Sequence, residues 1–371
     1  MTSAPVREAS AIAGASRLSP PPRALALAVV AVIVPLLLLV WAGLLGNAVS
    51  RTAEGELSIA GLVFEILAVL AAAAILWYAI RGLHLARAAL RRDAEGARLD
   101  ARALASRSRG HSYGALSTSF ALVLVLAVVV VLTANEAKII RTFFNVEFMV
   151  ASAENIVRAF GLNIFIAVVS MVFVLVFGLV LAVVRMIPGD GAKPLRALAI
   201  GYIDVMRAIP SIIVLYLIGF GLPLAGIPFF QGLPQAWYAI IALTLTYSAY
   251  VAEIYRAGIE AVHPSQVGAS RSLGLSYGLT LRHVVLPQAV RTVIPPLLSA
   301  FIALQKDTAL VSIIGAVDAF SQAKFFASSN FNLSSVAVVA ALFVLITIPQ
   351  ARLVDWLLAR SATARKKGKK L

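Results

Sequence analysis

The sequence predicts an all-α polytopic membrane protein with about eight transmembrane helices. Of its 371 residues, 61% are hydrophobic and only 13% charged, and the mean hydropathy is +0.93, far from a soluble domain. Apolar runs of about 20 residues, the length a helix needs to cross a hydrocarbon core of about 30 Å, recur along the chain. Long stretches that alternate apolar and polar residues are missing, which argues against a transmembrane barrel.

The first run, at about 24–46, follows Pro20, Pro21 and Pro22 and has no convincing small-residue cleavage site. It reads as a retained span rather than a signal peptide. The second, about 59–80, carries Glu65 roughly a turn from its apolar end, where an interfacial or helix-paired acid is the simpler reading. An Arg- and Ala-rich stretch, 81–112, follows and is helical by propensity. Spans three and four are read at about 115–133 and 161–184. The fifth, about 199–222, holds Asp204 and Arg207, which share one helical face and can pair, and Pro210, which removes a backbone hydrogen bond and predicts a kink. These three form a candidate gate or hinge. Spans six, seven and eight are read at about 235–255, 293–317 and 334–357.

Span seven contains a second candidate site. Pro295 and Pro296 are expected to break its start, as in discontinuous helices that line cavities. Lys306, Asp307 and Thr308 interrupt it near the centre, where charge is costly unless it faces a cavity or a partner. Adjacent opposite charges suit a zwitterion: Lys306 for a carboxylate, Asp307 for an ammonium, and the Thr308 hydroxyl for a hydrogen bond. The alternative is a structural ion pair.

The net charge is +15, but its placement argues against nucleic acid as the partner. Arg81, Arg87, Arg91, Arg92, Arg98, Arg102, Arg107 and Arg109 lie between spans two and three. Arg185, Lys193 and Arg196 follow span four, Arg256, Arg271, Arg282 and Arg291 follow span six, and Arg365 to Lys370 crowd the tail. With eight spans and a cytoplasmic N-terminus, every cluster falls inside, as the positive-inside rule requires, in contact with anionic lipid. The chain has no cysteine, and its four histidines lack metal-ligand spacing, so no metal site is expected. Residues 189–194 have the wrong spacing for a phosphate-binding loop, and no set of catalytic residues is evident. The chain is therefore expected to bind no cofactor and not to be an enzyme by itself.

Between spans six and seven, residues 256–291 place Gly, Pro and Ser in order around two short helices. Pro264 suits the first turn of one helix and Gly274 the left-handed position that ends it. Ser276 can cap a second helix, which Pro287 is expected to stop. Such an elbow outside the bilayer is suited to docking a soluble partner.

Ala269, Gly274, Val284, Leu286 and Pro287 resemble the "EAA" loop of permease subunits of ATP-binding-cassette importers. The strings SLGLS (272–276) and VVLPQAVR (284–291) are most similar to the polar amino-acid branch, as are FIALQKDTALVSIIG (301–315) and the string 202–210. Two positions depart from the motif: its Glu falls on Gly268 and its third residue on Ser270, so a charge contact through that Glu is not carried over. Glu253, Arg256 and Glu260 resemble positions that brace the loop.

The resemblance implies a type I importer permease core of five helices over 160–356. Before it comes an extension of three helices, 1–150, that matches nothing in that core, and after it a basic tail, 357–371. It implies transport of an amino acid across a bacterial inner membrane by a multi-pass chain with both termini cytoplasmic. It further implies a separate ATPase carrying ATP-Mg on the elbow, an external substrate-binding protein, and a second permease subunit, identical or a sister chain. A secondary transporter driven by an ion gradient, with Glu65 and Asp307 as coupling acids, is the alternative. A receptor or scaffold signalling through 81–112 is a third class. Neither rival needs the elbow.

Overall fold

A computed structural model describes residues 21–49 and 59–368, and every described element is helical. The side chains of the tail cations Arg365 to Lys370 lie outside the described residues. The chain divides into two compact units, Met1–Arg141 and Thr142–Leu371.

The first unit is built from α1 (Pro21–Val49), α2 (Ile59–Ala94) and most of α3 (Arg98–Phe143). The Arg-rich stretch is helical on both sides of a turn at Gly96, whose φ of +81° admits glycine without strain. Alanines let the three helices approach closely. Ala31 packs with Ala79 and Ala115, Ala24 with Ala89 and Ala105, and Leu38 and Ala42 with Ala68 and Leu126. Glu65 is partly buried on α2.

In the second unit α4 spans Val146–Met186, beginning well before the apolar run read at 161. Asn145 sets that start: its Oδ1 accepts from the Glu147 and Phe148 amides at 3.0 and 3.4 Å. The next elements are α5 (Lys193–Ala208), α6 (Ser211–Leu224), α7 (Gln235–Glu260) and α8 (Pro264–Ser272). A short α9 (Tyr277–Thr280), α10 (Leu286–Asp307), α11 (Ala319–Asn330) and α12 (Ser334–Gly368) complete it. The last helix therefore runs into the segment read as a tail.

The predicted fifth span is not one helix. Between α5 and α6 the axis turns by 103°, so among the described residues seven helices are long and apolar enough to cross a membrane, or eight if this pair counts as one span. Pro210 takes no part in backbone donation and disfavours helical backbone at Ile209, which is extended at ψ 128°. The result is a break rather than a kink. The segment still has to cross. Arg185, at the end of α4, pairs with Glu253, near the end of α7, so the two helices run in the same direction. The chain joining them, 187–234, must then return through the bilayer, which gives five crossings in this unit.

Two proline expectations are corrected. Pro287 does not stop a helix: a π-turn at Leu281–Val285 carries α9 straight into α10, with the Leu286 amide reaching the Leu281 carbonyl. The wider turn makes room for the proline ring and its missing donor. Pro295 and Pro296 lie inside an unbroken α10, where the Ser299 hydroxyl donates to the Pro295 carbonyl at 3.2 Å. The core joins α4, α6, α7, the end of α10 and the 3-10 turn after it, Thr308–Ile314, through Ile166, Val174, Leu215, Leu243, Leu304 and Val311. At Gly258 a Cβ would come within 2.1 Å of Val293 Cγ1, so only glycine lets α7 and α10 meet there.

A cavity at a broken helix and an exposed elbow

Two helices of the core each present one face to a cavity of about 870 Å³. From α7 come Thr246, Tyr247, Tyr250, Glu253 and Ala257; from α10 come Pro296, Ser299, Ala300, Ala303 and Asp307. Both sets repeat every three to four residues, the period of one helical face. The break between α5 and α6 supplies the third wall, Arg207 to Ser211. The structure thus brings Arg207, Pro210 and Asp307 to one place, although about 100 residues separate them in sequence.

Asp307 is one of two partly buried acids of this cavity, with Glu253. Its Oδ2 accepts hydrogen bonds from the Ser211 hydroxyl at 2.7 Å and the Tyr247 hydroxyl at 2.9 Å, tying α6, α7 and α10 together. Its Oδ1 has no donor among the described residues. Neutral donors hold a carboxylate in place while leaving its charge uncompensated, so Asp307 remains able to attract a cation. Lys306 is exposed and absent from the lining. The zwitterion pair expected from adjacency is therefore not formed on one surface, because consecutive residues on a helix point about 100° apart.

Thr308 is also turned away. It is fully buried, donates to the Gln305 carbonyl at 2.7 Å and accepts from Asn163 Nδ2 at 3.2 Å. The same Asn163 amide reaches Asp318 Oδ2 at 3.0 Å, and its carbonyl accepts from the Ala319 amide. Asp318 in turn caps α11 through the Ser321 amide at 2.9 Å. Thr308 therefore belongs to a buried polar latch among α4, α11 and the segment between α10 and α11.

Asp204 and Arg207 do not pair either. Asp204 is exposed and off the cavity, while the Arg207 guanidinium lies 5.9 Å from the centre of the Tyr250 ring and the Tyr250 hydroxyl donates to the Arg207 carbonyl. Sequence reasoning missed Ser211, Tyr247 and Tyr250. A signal was present for the tyrosines: Thr246, Tyr247, Tyr250 and Glu253 form a polar stripe in an otherwise apolar span.

Glu253 belongs to both the cavity and the elbow. It pairs with Arg185 and, at 2.9 Å, with Arg256, which pairs with Glu260 at the last position of α7. Beyond Glu260 the chain enters α8, with Pro264 at its first position. Gly274 has φ +81°, and Ser276 caps α9 through the Leu279 amide. The Arg271 guanidinium donates to the Leu275 carbonyl at 3.0 Å. Buried Ser270 donates to Thr280 at 3.1 Å and fixes α8 against α9. Gly268, Ala269, Leu286 and Pro287 are exposed and Val284 partly so; Leu273 and Tyr277 project at 84% and 65% exposure. Among the described residues no group of acids and histidines could hold a metal ion.

Comparison with known proteins places this arrangement. The model of the family described as "binding-protein-dependent transport system inner membrane component" matches residues 189–362. A probable amino-acid permease, YxeN of Bacillus subtilis, is 33% identical over 210 residues, covering 56% of this chain and 92% of its own. A probable glutamine ABC transporter permease, GlnM of the same organism, is 35% identical over 52% of this chain and 86% of its own. The crystal structure of an amino acid ABC transporter with histidines aligns at TM-score 0.53 and 31% identity, over 57% of this chain and 96% of that one.

Proposed function

Because the chain belongs to the binding-protein-dependent transport system inner membrane components, in their amino-acid branch, we propose that its cavity passes an amino acid across a bacterial inner membrane. The chain is the membrane-spanning permease subunit of an ATP-binding-cassette importer. Asp307 Oδ1 attracts the substrate ammonium, and Arg207, at the cavity rim, meets the carboxylate. A separate ATPase, with ATP-Mg, docks on the elbow around Gly268, Ala269, Leu273 and Tyr277. A binding protein delivers substrate to the opposite face, and a second permease subunit completes the pathway. Eight spans with the Arg and Lys clusters inside put the elbow and both termini in the cytoplasm.

One observation carries the coupling: Glu253 lines the cavity and also anchors the charge chain Arg185–Glu253–Arg256–Glu260 that ends at the elbow. Motion of the elbow then turns the cavity wall with it, because α7 is a single helix from Gln235 to Glu260. The ion-gradient alternative gives the elbow no task.

Glu253→Gln tests this. It removes the charge while keeping the side chain's shape. ATP hydrolysis by the reconstituted complex is expected to persist, with amino-acid uptake per ATP falling about tenfold, since a hydrogen bond to a charged group contributes roughly 1.5–3 kcal/mol. An unchanged ratio of uptake to hydrolysis would remove Glu253 from the coupling path.

A further inference from the structure

We propose that the first unit carries a binding collar for anionic phospholipid headgroups, formed by Arg81, Arg107 and Arg109. Three contacts fix these residues close together along the two helices. The Ser108 hydroxyl donates to the Gly82 carbonyl at 2.8 Å, His111 stacks on Tyr78 at 4.7 Å, and a Cβ at Gly82 would lie 3.1 Å from that of His111. The apolar faces of α2 and α3 end directly below, at Ile80 and Ala115.

Aromatic rings mark the same boundary. Trp77 and Tyr113 are 57% and 59% exposed, and the Arg81 guanidinium sits 3.7 Å over the Trp77 ring. Rings of this kind gather at the headgroup level of a membrane. None of the three arginines has a carboxylate within ion-pairing distance among the described residues, and Arg109 Nε is buried with no hydrogen-bond partner. Guanidinium groups in this state match a phosphate, whose oxygens accept the paired donors of the fork.

The neighbouring helix identifies the occupant as a lipid. Ala31 packs against Ala79 and Ala115, and Ala24 against Ala89 and Ala105, so Val29 and Val30 of α1 stand at the height of Arg81, with Arg109 and Arg107 roughly one to two turns farther along. Both valines are exposed. Cation and apolar surface therefore share one level, as the headgroup and first methylenes of a phospholipid require, whereas a soluble anion or nucleic acid would leave the apolar wall in water. Farther out, Arg91 lies about 15 Å beyond Arg81 along the helix, past the reach of a surface potential screened over about 8 Å. The arginines toward the turn at Gly96 are thus outside the collar.

The test uses the full-length chain with the subunits that purify with it, exchanged in mild detergent against phosphatidylglycerol or phosphatidylcholine. Retained lipid is counted by native mass spectrometry. Preferential retention of phosphatidylglycerol is expected, reduced about fivefold by each of Arg81→Gln, Arg107→Gln and Arg109→Gln, and unchanged by Arg91→Gln. Each variant keeps seven of the eight arginines in the stretch, so the positive-inside bias survives. Equal retention of the two lipids would overturn the proposal. An equal loss from Arg91→Gln and Arg109→Gln would also overturn it, by showing a diffuse field instead of a collar.

Discussion

Asp307 and Lys306 are chain neighbours in opposite surroundings. Asp307 is held by Ser211 and Tyr247 in the cavity, and Lys306 is exposed and outside the cavity lining. Asp307→Asn keeps the two hydrogen bonds and removes only the charge, so it isolates the electrostatic role. Substrate uptake by the reconstituted importer is expected to fall about tenfold or more, because a charge-assisted contact contributes roughly 1.5–3 kcal/mol. Lys306→Met is expected to change uptake less than about twofold. Equal losses from both substitutions would restore the pairing that adjacency suggested. Asp307 was legible in the sequence because an acid in an apolar run is conspicuous. Its partners were not, since a serine after a proline and a tyrosine in a different helix reveal nothing until the chain is folded.

Among the elements, the meeting of α7 and α10 decides how the cavity is held open. Gly258 allows the approach, and Gly258→Ala would drive a methyl group into Val293 Cγ1. The cost is about 1–3 kcal/mol. Val293→Ala removes the obstructing atom, so the thermal midpoint of the Gly258→Ala, Val293→Ala double variant should lie above the sum of the single losses. Strict additivity would show that the two helices do not touch at that point. The prolines show the limit of reading elements from sequence. Pro210 breaks its helix, whereas Pro287 and Pro295–Pro296 do not, though each removes the same backbone donor. A π-turn precedes Pro287, and α10 continues unbroken through Pro295 and Pro296 although they take the backbone donors from the Arg291 and Thr292 carbonyls, accommodations that depend on packing which local spacing does not encode.

For the whole molecule, hydropathy and charge placement made the membrane class legible, and the elbow spacing pointed to the family. The cavity was not legible, because it forms only where α7, α10 and the α5–α6 break converge. The proposed function has this chain admit an amino acid at the expense of ATP hydrolysed by a partner on the elbow. Its most direct measurement is uptake of labelled amino acids into proteoliposomes containing the purified complex, with binding protein outside. ATP is either enclosed or omitted, and an uncoupler is either added or not. Uptake is expected to need enclosed ATP, to ignore the uncoupler and to vanish on removal of the ATPase. Uptake that proceeds without ATP and collapses with the ion gradient would contradict it.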